Sequence, residues 1–130
     1  MRGMRRDHES KPRLIIVEDD LVSSYAMSLM LKDHGFEVVE NLMSADNILE
    51  DFQRHDPDGV LMDIRINGKI DGMEAAQILR KESDVPIIFI SAFNDEETKG
   101  NIRTISHSTL INKPYEISQI VAALKTLIDG

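Results

Sequence analysis

Five short apolar runs, rich in β-branched residues, recur along the chain and limit its fold more than any other feature. They are LIIV (14–17), EVVE (37–40), VLMD (60–63), IIFIS (87–91) and LIN (110–112). Their composition and length favour β-strands. The first, third and fourth runs are apolar on both faces, which is typical of strands covered by helices on both sides of a parallel sheet.

Segments with helical periodicity lie between and after these runs, at residues 20–34, 44–54, 71–81, 94–105 and 115–129. In the first segment, apolar side chains recur at three- and four-residue steps, as in a helix whose apolar stripe faces a core. They are Val22, Tyr25, Ala26, Leu29 and Met30. We expect the fourth helix to be poorly anchored, because Gly100 and Asn101 together cost it about 1 to 1.5 kcal/mol relative to alanine.

The ends of these segments carry residues that commonly cap helices. Asp20, Ser44 and Asn94 are predicted N-caps, because short polar side chains accept hydrogen bonds from the first free backbone N–H groups. Gly35 and Gly130 follow predicted helix ends, where a left-handed backbone favours glycine. Strands and helices therefore follow one another without a long linker.

This alternation predicts an α/β domain in which a strand–helix unit is repeated five times. Strands that alternate with helices form one parallel sheet with helices on both faces. Right-handed crossover connections then restrict the topology to a doubly wound, five-stranded parallel sheet. In such folds the ligand site lies at the carboxyl ends of the strands. The side chains that follow the strands are therefore the candidates for function.

Four kinds of polar side chain follow four of the five predicted strands. Glu18 and Asp19 follow the first strand, Asp63 ends the third, Ser91 ends the fourth and Lys113 follows the fifth. Crowded carboxylates raise one another's pKa, and a hard cation such as Mg²⁺ removes that repulsion while it holds a phosphoryl group. Singly, each residue fits a helix cap or a surface turn equally well, so the hypothesis of a phosphoryl site depends on their joint arrangement.

Composition excludes several classes of function. The chain contains no cysteine, which excludes a disulfide scaffold, a zinc–thiolate site and a cysteine nucleophile. Its net charge is −8, so direct nucleic-acid binding is not expected, although residues 1–12 are net basic and predict a disordered leader. No apolar run is long enough to span a membrane, and no export signal is visible, so a cytoplasmic location is expected. The four histidines lack metal-ligand spacing.

Five motifs stand in a recognisable order at the predicted strand ends. They are LIIVEDD (14–20), DPDGVLMDI (56–64), DG (71–72), VPIIFISA (85–92) and NKPY (112–115). As a set they resemble the response-regulator receiver domain of two-component signalling. The resemblance covers residues 13 to about 129 and implies one receiver domain at 13–130 with a flavodoxin-like sheet in the strand order 2-1-3-4-5.

The resemblance implies a role for the residues that match these motifs. Asp63 corresponds to the phosphoacceptor, Ser91 to a hydroxyl that turns toward the phosphoryl group, and Lys113 to the cation that pairs with that group. A cis peptide bond is expected between Lys113 and Pro114.

The resemblance also implies a Mg²⁺ site beside the acceptor. Asp19 and Asp63 would be direct ligands, and Glu18 would act through water. The backbone carbonyl of Arg65, two positions after the acceptor, would be a further ligand.

The function implied is that of a phosphoacceptor that takes a phosphoryl group from a histidine kinase or histidine phosphotransfer protein onto Asp63. It would switch a surface for an output protein without binding nucleic acid or membrane directly, and a weak homodimer fits the same role. Such a domain catalyses only its own phosphoryl transfer and dephosphorylation. Two alternatives stay open: a degenerate receiver that binds proteins without phosphorylation, and an aspartyl-phosphate phosphatase. An aspartyl-phosphate phosphatase requires a second aspartate, as acid and base, two positions after the first, and this chain has Arg65 there.

Several positions depart from the family's usual pattern. The loop at 65–70 is one residue longer and lacks a proline, and Leu110 stands where an aromatic switch residue is usual. Ser106 and His107 replace small residues before the fifth strand. The positions that flank the path of a hydrolytic water carry Arg65 and Phe93, neither of which acts as a general base at neutral pH. We therefore expect a long-lived phosphorylated form.

Overall fold

The predicted alternation of strands and helices is confirmed in the computed structural model, which describes residues 10–93 and 95–129. The strands are β1 (Arg13–Val17), β2 (Glu37–Leu42), β3 (Gly59–Asp63), β4 (Ile87–Ser91) and β5 (Ser108–Asn112). The helices are α1 (Leu21–Asp33), α2 (Ile48–His55), α3 (Gly72–Glu82), α4 (Glu96–Arg103) and α5 (Ile117–Asp129). Each helix follows the strand of the same number.

The five strands form one sheet in the order β2-β1-β3-β4-β5, and all neighbouring strands are parallel. This confirms the doubly wound, flavodoxin-like fold class. The strand order reverses direction at β1, so the crevice between the ends of β1 and β3 is the topological switch point. Ligands of open α/β sheets bind at such a crevice.

Two apolar layers cover the two faces of the sheet. Leu14 and Ile16 of β1 point to the layer that contains α1 and α5, whereas Ile15 and Val17 point to the layer on the opposite face, with α2 and α3. Every residue of β3 and β4 is buried. Burial of one such aliphatic side chain contributes about 1.5 to 3 kcal/mol, so the central strands fix where the polar residues at their ends lie.

The prediction of which face of α1 is buried is wrong. Val22 and Tyr25 are 78% and 65% exposed, and Leu29 is also exposed. The buried side chains of this helix are Ser24, Met27 and Leu31. Apolar residues occur on all sides of α1, so spacing alone does not identify the core face. The polar side is held against β2, because the Asn41 side chain donates to Ser24 Oγ at 2.6 Å.

The predicted cap of α1 is confirmed, whereas that of α2 is wrong. The Asp20 carboxylate accepts from the backbone N–H groups of Val22 and Ser23, and bonds from Ser23 hold its pKa below the ordinary value. The second helix begins four residues after Ser44, at Ile48, because residues 43–47 form the turn that leads from β2. Gly35 has a φ of +89°, the left-handed conformation predicted after α1.

Helix α4 is short and begins later than predicted. Its N-cap is Asp95, which accepts from the Thr98 N–H at 2.8 Å. The predicted cap Asn94 lies outside the described residues, as does Gly130. Ile102 in the helix and Ile105 just after it are 8% and 6% exposed and pack into the core.

The amino-terminal residues 1–9 lie outside the described residues, so a disordered basic leader stays a prediction for them. Pro12 already joins the sheet edge, because its carbonyl accepts from the Glu37 N–H at 2.9 Å. Within the part of the chain that is described, no helix has the length and apolarity needed to cross a membrane.

Candidate functional site

A buried acid–base cluster lies at the carboxyl ends of β1, β3 and β5. Asp63 ends β3 and is 8% exposed. The Lys113 ammonium, which follows β5, donates to Asp63 Oδ2 at 2.9 Å and to Glu18 Oε1 at 3.4 Å. The Lys113–Pro114 peptide bond is cis, as predicted. The fold therefore brings together three of the residues that the sequence singled out.

The electrostatics of this cluster make Lys113 the counter-charge for two carboxylates. Burial raises the pKa of Glu18, and the charge of Asp63 raises it further, against a hydrogen bond from the Asp20 N–H that lowers it. Burial lowers the pKa of Lys113, but the hydrogen bond and charges of Asp63 and Glu18 outweigh burial and leave this pKa above its ordinary value. The lysine is therefore cationic at neutral pH.

The loop after β3 reaches over to Asp19. The backbone N–H of Asn67 donates to Asp19 Oδ2 at 2.9 Å. Farther along the loop, the Lys69 N–H donates to Asp46 Oδ1 at 2.7 Å, and Gly68 has a φ of +136°. A Cβ at Gly68 would lie 2.7 Å from the same Asp46 oxygen. The longer loop is thus a brace that orients Asp19.

Sequence reasoning missed this brace. The spacing of the strands predicts where Asp19 and Asp63 lie, but it carries no signal for a backbone donor such as Asn67. The missing proline and the presence of Gly68 are the only sequence features that point to an unusual loop path here.

The amino terminus of α3 packs directly against the end of β3. The Gly72 N–H donates to the Ile64 carbonyl at 2.9 Å, and a Cβ at Gly72 would lie 2.2 Å from the Asp63 carbonyl oxygen. Asp71 and Glu74 form a capping box at this helix end. Glycine at 72 is therefore required for the close approach that fixes the backbone of Asp63.

Ser91 lies at the end of β4, where it is 1% exposed. Its Oγ accepts from the Phe93 N–H at 3.0 Å, and its carbonyl accepts from the Lys113 N–H at 2.8 Å. The hydroxyl is thus bound to its own turn, while the backbone of Ser91 positions Lys113.

Arg65 and Phe93 lie on the outer side of the cluster. The Arg65 N–H donates to Asp63 Oδ1 at 3.2 Å, so the backbone of Arg65 is tied to the Asp63 carboxylate. Its guanidinium carbon lies 4.0 Å from the centroid of the Phe93 ring. The loop after β3 and the loop after β4 are therefore joined by a cation–π contact.

The carboxylates at this rim suit Mg²⁺, which keeps several of its waters, better than they suit a metal ion whose ligands all come from the protein. Across the described part of the chain, no group of three or more Asp, Glu or His side chains converges as a metal cage. Asp19 and Asp63 nevertheless lie at the ends of adjacent strands. Two carboxylates, completed by waters and phosphoryl oxygens, are a set that Mg²⁺ commonly accepts.

Comparison with known families agrees with this geometry. The sequence profile of the response regulator receiver domain matches residues 14–125. The chain belongs to this family. Receiver domains of two-component systems are generally non-enzymatic signalling modules, and they generally use Mg²⁺ in the phosphorylation site.

This receiver domain is similar to proteins of several bacteria. It is 26% identical over 116 residues to the transcriptional regulatory protein PdtaR of Mycobacterium tuberculosis, a match that covers 89% of this chain and 56% of that protein. The chain spans about half the length of the curated relatives that it matches.

Two solved structures of receiver domains superpose closely on this one. The signal receiver domain of a modulated diguanylate cyclase from Desulfovibrio desulfuricans gives a TM-score of 0.84 at 25% identity and covers 92% of this chain and 94% of that one. The BeF3-activated receiver domain of RstA from Klebsiella pneumoniae gives a TM-score of 0.82 at 25% identity, covering 91% and 99%.

Proposed function

We propose that this receiver domain takes a phosphoryl group onto Asp63 from a histidine kinase or histidine phosphotransfer protein and thereby switches a protein-interaction surface. The observation that supports this most is the 2.9 Å contact between the Lys113 ammonium and the buried Asp63 carboxylate. A carboxylate held beside a fixed cation at the switch point of the sheet is placed to act as a nucleophile.

The transfer forms one bond and breaks one. A carboxylate oxygen of Asp63 forms the new P–O bond, while the P–N bond to a donor imidazolium breaks with its electron pair on nitrogen, leaving a neutral imidazole. The transition state carries charge on three equatorial oxygens. The Lys113 ammonium and backbone N–H groups at the end of β4 offset that charge.

Residues at the rim would hold Mg²⁺ as the family resemblance implies. Asp19, Asp63 and the Arg65 carbonyl would be ligands, with Glu18 acting through water. The ion supplies positive charge at the phosphoryl oxygens. The contribution of this chain is to orient the ligands: the Asn67 N–H orients Asp19, and the Lys113 ammonium places a positive charge beside Glu18 and Asp63.

The phosphorylated site would act on α4 and β5. A phosphoryl group adds charge and acceptor oxygens, which the Ser91 hydroxyl and Lys113 can bind. Ser91 leaves its bond with the Phe93 N–H when it turns. Among the residues of α4, only Ile102 is buried, so this helix is the element most easily biased. The α4–β5 face is therefore the surface that we assign to the output protein.

An exposed apolar stripe on α1 begins at the same edge of the sheet as Asp63 and supports a protein donor. Its members are Leu21, Val22, Tyr25 and Leu29, all at least 47% exposed. Because a donor imidazole must reach Asp63, the donor protein covers the surface around this rim. We assign the stripe to that protein. A Val22→Ser/Tyr25→Ser variant should then be labelled normally by acetyl phosphate but about tenfold more slowly by a phosphorylated histidine phosphotransfer protein.

Acetyl phosphate with Mg²⁺ tests the phosphoacceptor directly. The P–O bond of the donor breaks, acetate leaves, and intact mass should show one phosphate on the parent and none on Asp63→Asn. Asp33→Asn, at the far end of α1, is the matched control and should be labelled like the parent. Full labelling of Asp63→Asn would contradict the assignment, and an unlabelled parent would favour a phosphorylation-independent receiver.

A further inference from the structure

The stacked pair of Arg65 and Phe93 bridges the two loops that flank the acceptor. The guanidinium carbon of Arg65 lies 4.0 Å from the Phe93 ring centroid, although 42% of Phe93 is exposed. Arg65 follows the acceptor by two positions, and Phe93 follows Ser91 by two. An exposed arginine would otherwise sample many conformations in water, so the contact defines where this charge lies.

Both partners project from backbone that is tied to the acceptor site. The Phe93 N–H donates to Ser91 Oγ, and the Phe93 carbonyl accepts from the Asn112 side chain at 3.3 Å. On the other loop, the Arg65 N–H donates to Asp63 Oδ1. The bond to Asn112 does not involve the Ser91 hydroxyl and so remains when that hydroxyl turns to the phosphoryl group, and the ring still supports the guanidinium within two residues of Asp63.

The geometry of a guanidinium leaves its binding edge available. The guanidinium carbon lies over the face of the aromatic ring, whereas the N–H donors of a guanidinium lie at the edge of its own plane and match the oxygens of a phosphoryl group. Bonds between ionised partners are about twice as strong as bonds between neutral ones. A phosphoryl group can therefore be bound without loss of the contact with Phe93.

The charge of Arg65 also reaches the start of α4. The pKa of Asp95 lies below its ordinary value, chiefly because its carboxylate accepts from Thr98, and the charge of Arg65 lowers it further. Asp95 is the N-cap of α4. Phe93, on which the guanidinium rests, precedes Asp95 by two positions, so Arg65 contacts the segment that leads from β4 into the helix that the proposed function places in the output surface.

We propose that Arg65, held on the Phe93 ring, is an additional phosphoryl ligand that ties the start of α4 to the phosphorylated Asp63. This inference rests on the proposed function. It adds a connection between Asp63 and α4 through side chains that are particular to this chain. Leu110 stands where the family usually has an aromatic switch residue. Arg65 on the ring of Phe93, two positions before the N-cap of α4, provides a connection on the solvent side instead.

Amide hydrogen exchange of residues 95–103, with acetyl phosphate and Mg²⁺ kept in excess, tests the inference. Phosphorylation should slow exchange in this segment of the parent by at least about threefold. Arg65→Gln and Phe93→Leu should lose the slowing, whereas Phe93→Tyr, which keeps the ring, should retain it. The matched control is Lys81→Gln, which removes an exposed charge from α3 and should behave like the parent.

Intact mass, recorded for each sample, separates the outcomes. In the parent, the Arg65 Nε–H signal in an NMR spectrum should shift downfield on phosphorylation. Equal slowing in Arg65→Gln and the parent at equal labelling would overturn the inference alone. A parent that takes no phosphate would overturn the proposed function and the inference with it. Loss of labelling in Arg65→Gln but not in Lys81→Gln would also place Arg65 at the phosphoryl group.

Discussion

The charged atoms of Asp63 and Lys113 lie 2.9 Å apart, although 50 positions separate the two residues in the sequence. Their strands, β3 and β5, are not neighbours, so the lysine side chain reaches across the end of β4. It also lies 3.4 Å from Glu18 at the end of β1. One cation therefore neutralises carboxylates from two other strands.

Removal of this cation should destabilise the metal-free protein. In Lys113→Gln, Glu18 and Asp63 face each other without a counter-charge, and an unsatisfied buried group costs about 1 to 3 kcal/mol. Urea unfolding in EDTA should show a loss of this size, and Glu18→Gln in the same chain should restore part of it. Lys125→Gln on α5 is the control. An unchanged midpoint for Lys113→Gln would show that the contact contributes nothing to folding.

Stability should depend on pH through Glu18. Its pKa is raised in the folded protein, first by burial, so its ionisation is less favourable there than in the unfolded chain. The associated loss of stability is absent below the ordinary pKa of 4.5, appears as pH rises through 4.5 toward the folded pKa, and is constant above it. The difference in unfolding free energy between Glu18→Gln and the parent should therefore rise over this window and then level off.

The matched control for this pH series is Glu37→Gln, at an exposed position of β2. Its unfolding free energy should differ little from that of the parent, because the side chain is exposed and the substitution removes no buried contact. A flat difference for Glu18→Gln would mean that burial of Glu18 has no effect on its ionisation.

Gly72 and Gly100 should respond in opposite directions to alanine. At Gly72 the added Cβ meets the Asp63 carbonyl oxygen at 2.2 Å, so the backbone must shift, and the loss of stability should be at least about 2 kcal/mol. At Gly100 the added Cβ meets nothing within 4 Å, and alanine should stabilise α4 by about 0.5 to 1 kcal/mol. Thermal unfolding of both variants decides this, and similar effects would refute the packing argument.

Strand positions could be predicted from the sequence because the central strands are apolar on both faces and are followed by polar residues. That pattern alone predicts that Glu18, Asp63, Ser91 and Lys113 lie at one edge of the sheet, as they do in the structure. The face of α1 could not be predicted in the same way, since apolar residues surround that helix. Its buried side includes Ser24, which the Asn41 side chain holds against β2.

The geometry of the loops at the site could not be predicted from the sequence either. The bond from the Asn67 N–H to Asp19 uses a backbone donor, so the identity of residue 67 carries no information about it. The stacking of Arg65 on Phe93 depends on the relative position of two loops, although the family resemblance implies that both residues flank the path of a hydrolytic water. Pairings between loops depend on the whole fold, whereas strand ends follow from local pattern.

The brace on Asp19 leads to a paired prediction for Mg²⁺ binding. Asp19→Asn keeps an acceptor for the Asn67 N–H but removes one anion from the cluster, so metal-free stability should rise by about 0.5 to 1 kcal/mol. Asp19→Ala also loses the acceptor and should gain nothing. Both variants should bind Mg²⁺ at least about tenfold more weakly than the parent in a calorimetric titration. Parent-like affinity in both would limit Asp19 to a role in the loop.

We expect the phosphorylated form to be long-lived because of the stacked side chains of Arg65 and Phe93. Hydrolysis requires a water in line with phosphorus, opposite the Asp63 oxygen. Phe93 is apolar and cannot orient that water, and Arg65 covers the same side while it remains cationic. The side chains that flank the approach therefore exclude water without supplying a base.

Decay of the purified, phosphorylated protein measures this shielding. Phe93→Glu introduces a carboxylate at the approach of the water and removes the platform under Arg65, so its phosphate should be lost at least about tenfold faster than that of the parent. Arg65→Asn opens the same side and offers a group that can hold a water, so its decay should also be faster, although by less. Phe93→Tyr keeps the ring and should decay near the parent's rate. If Phe93→Glu and Arg65→Asn both keep the parent's rate, the stacked pair does not control access of water to the phosphoryl group, even if it binds that group.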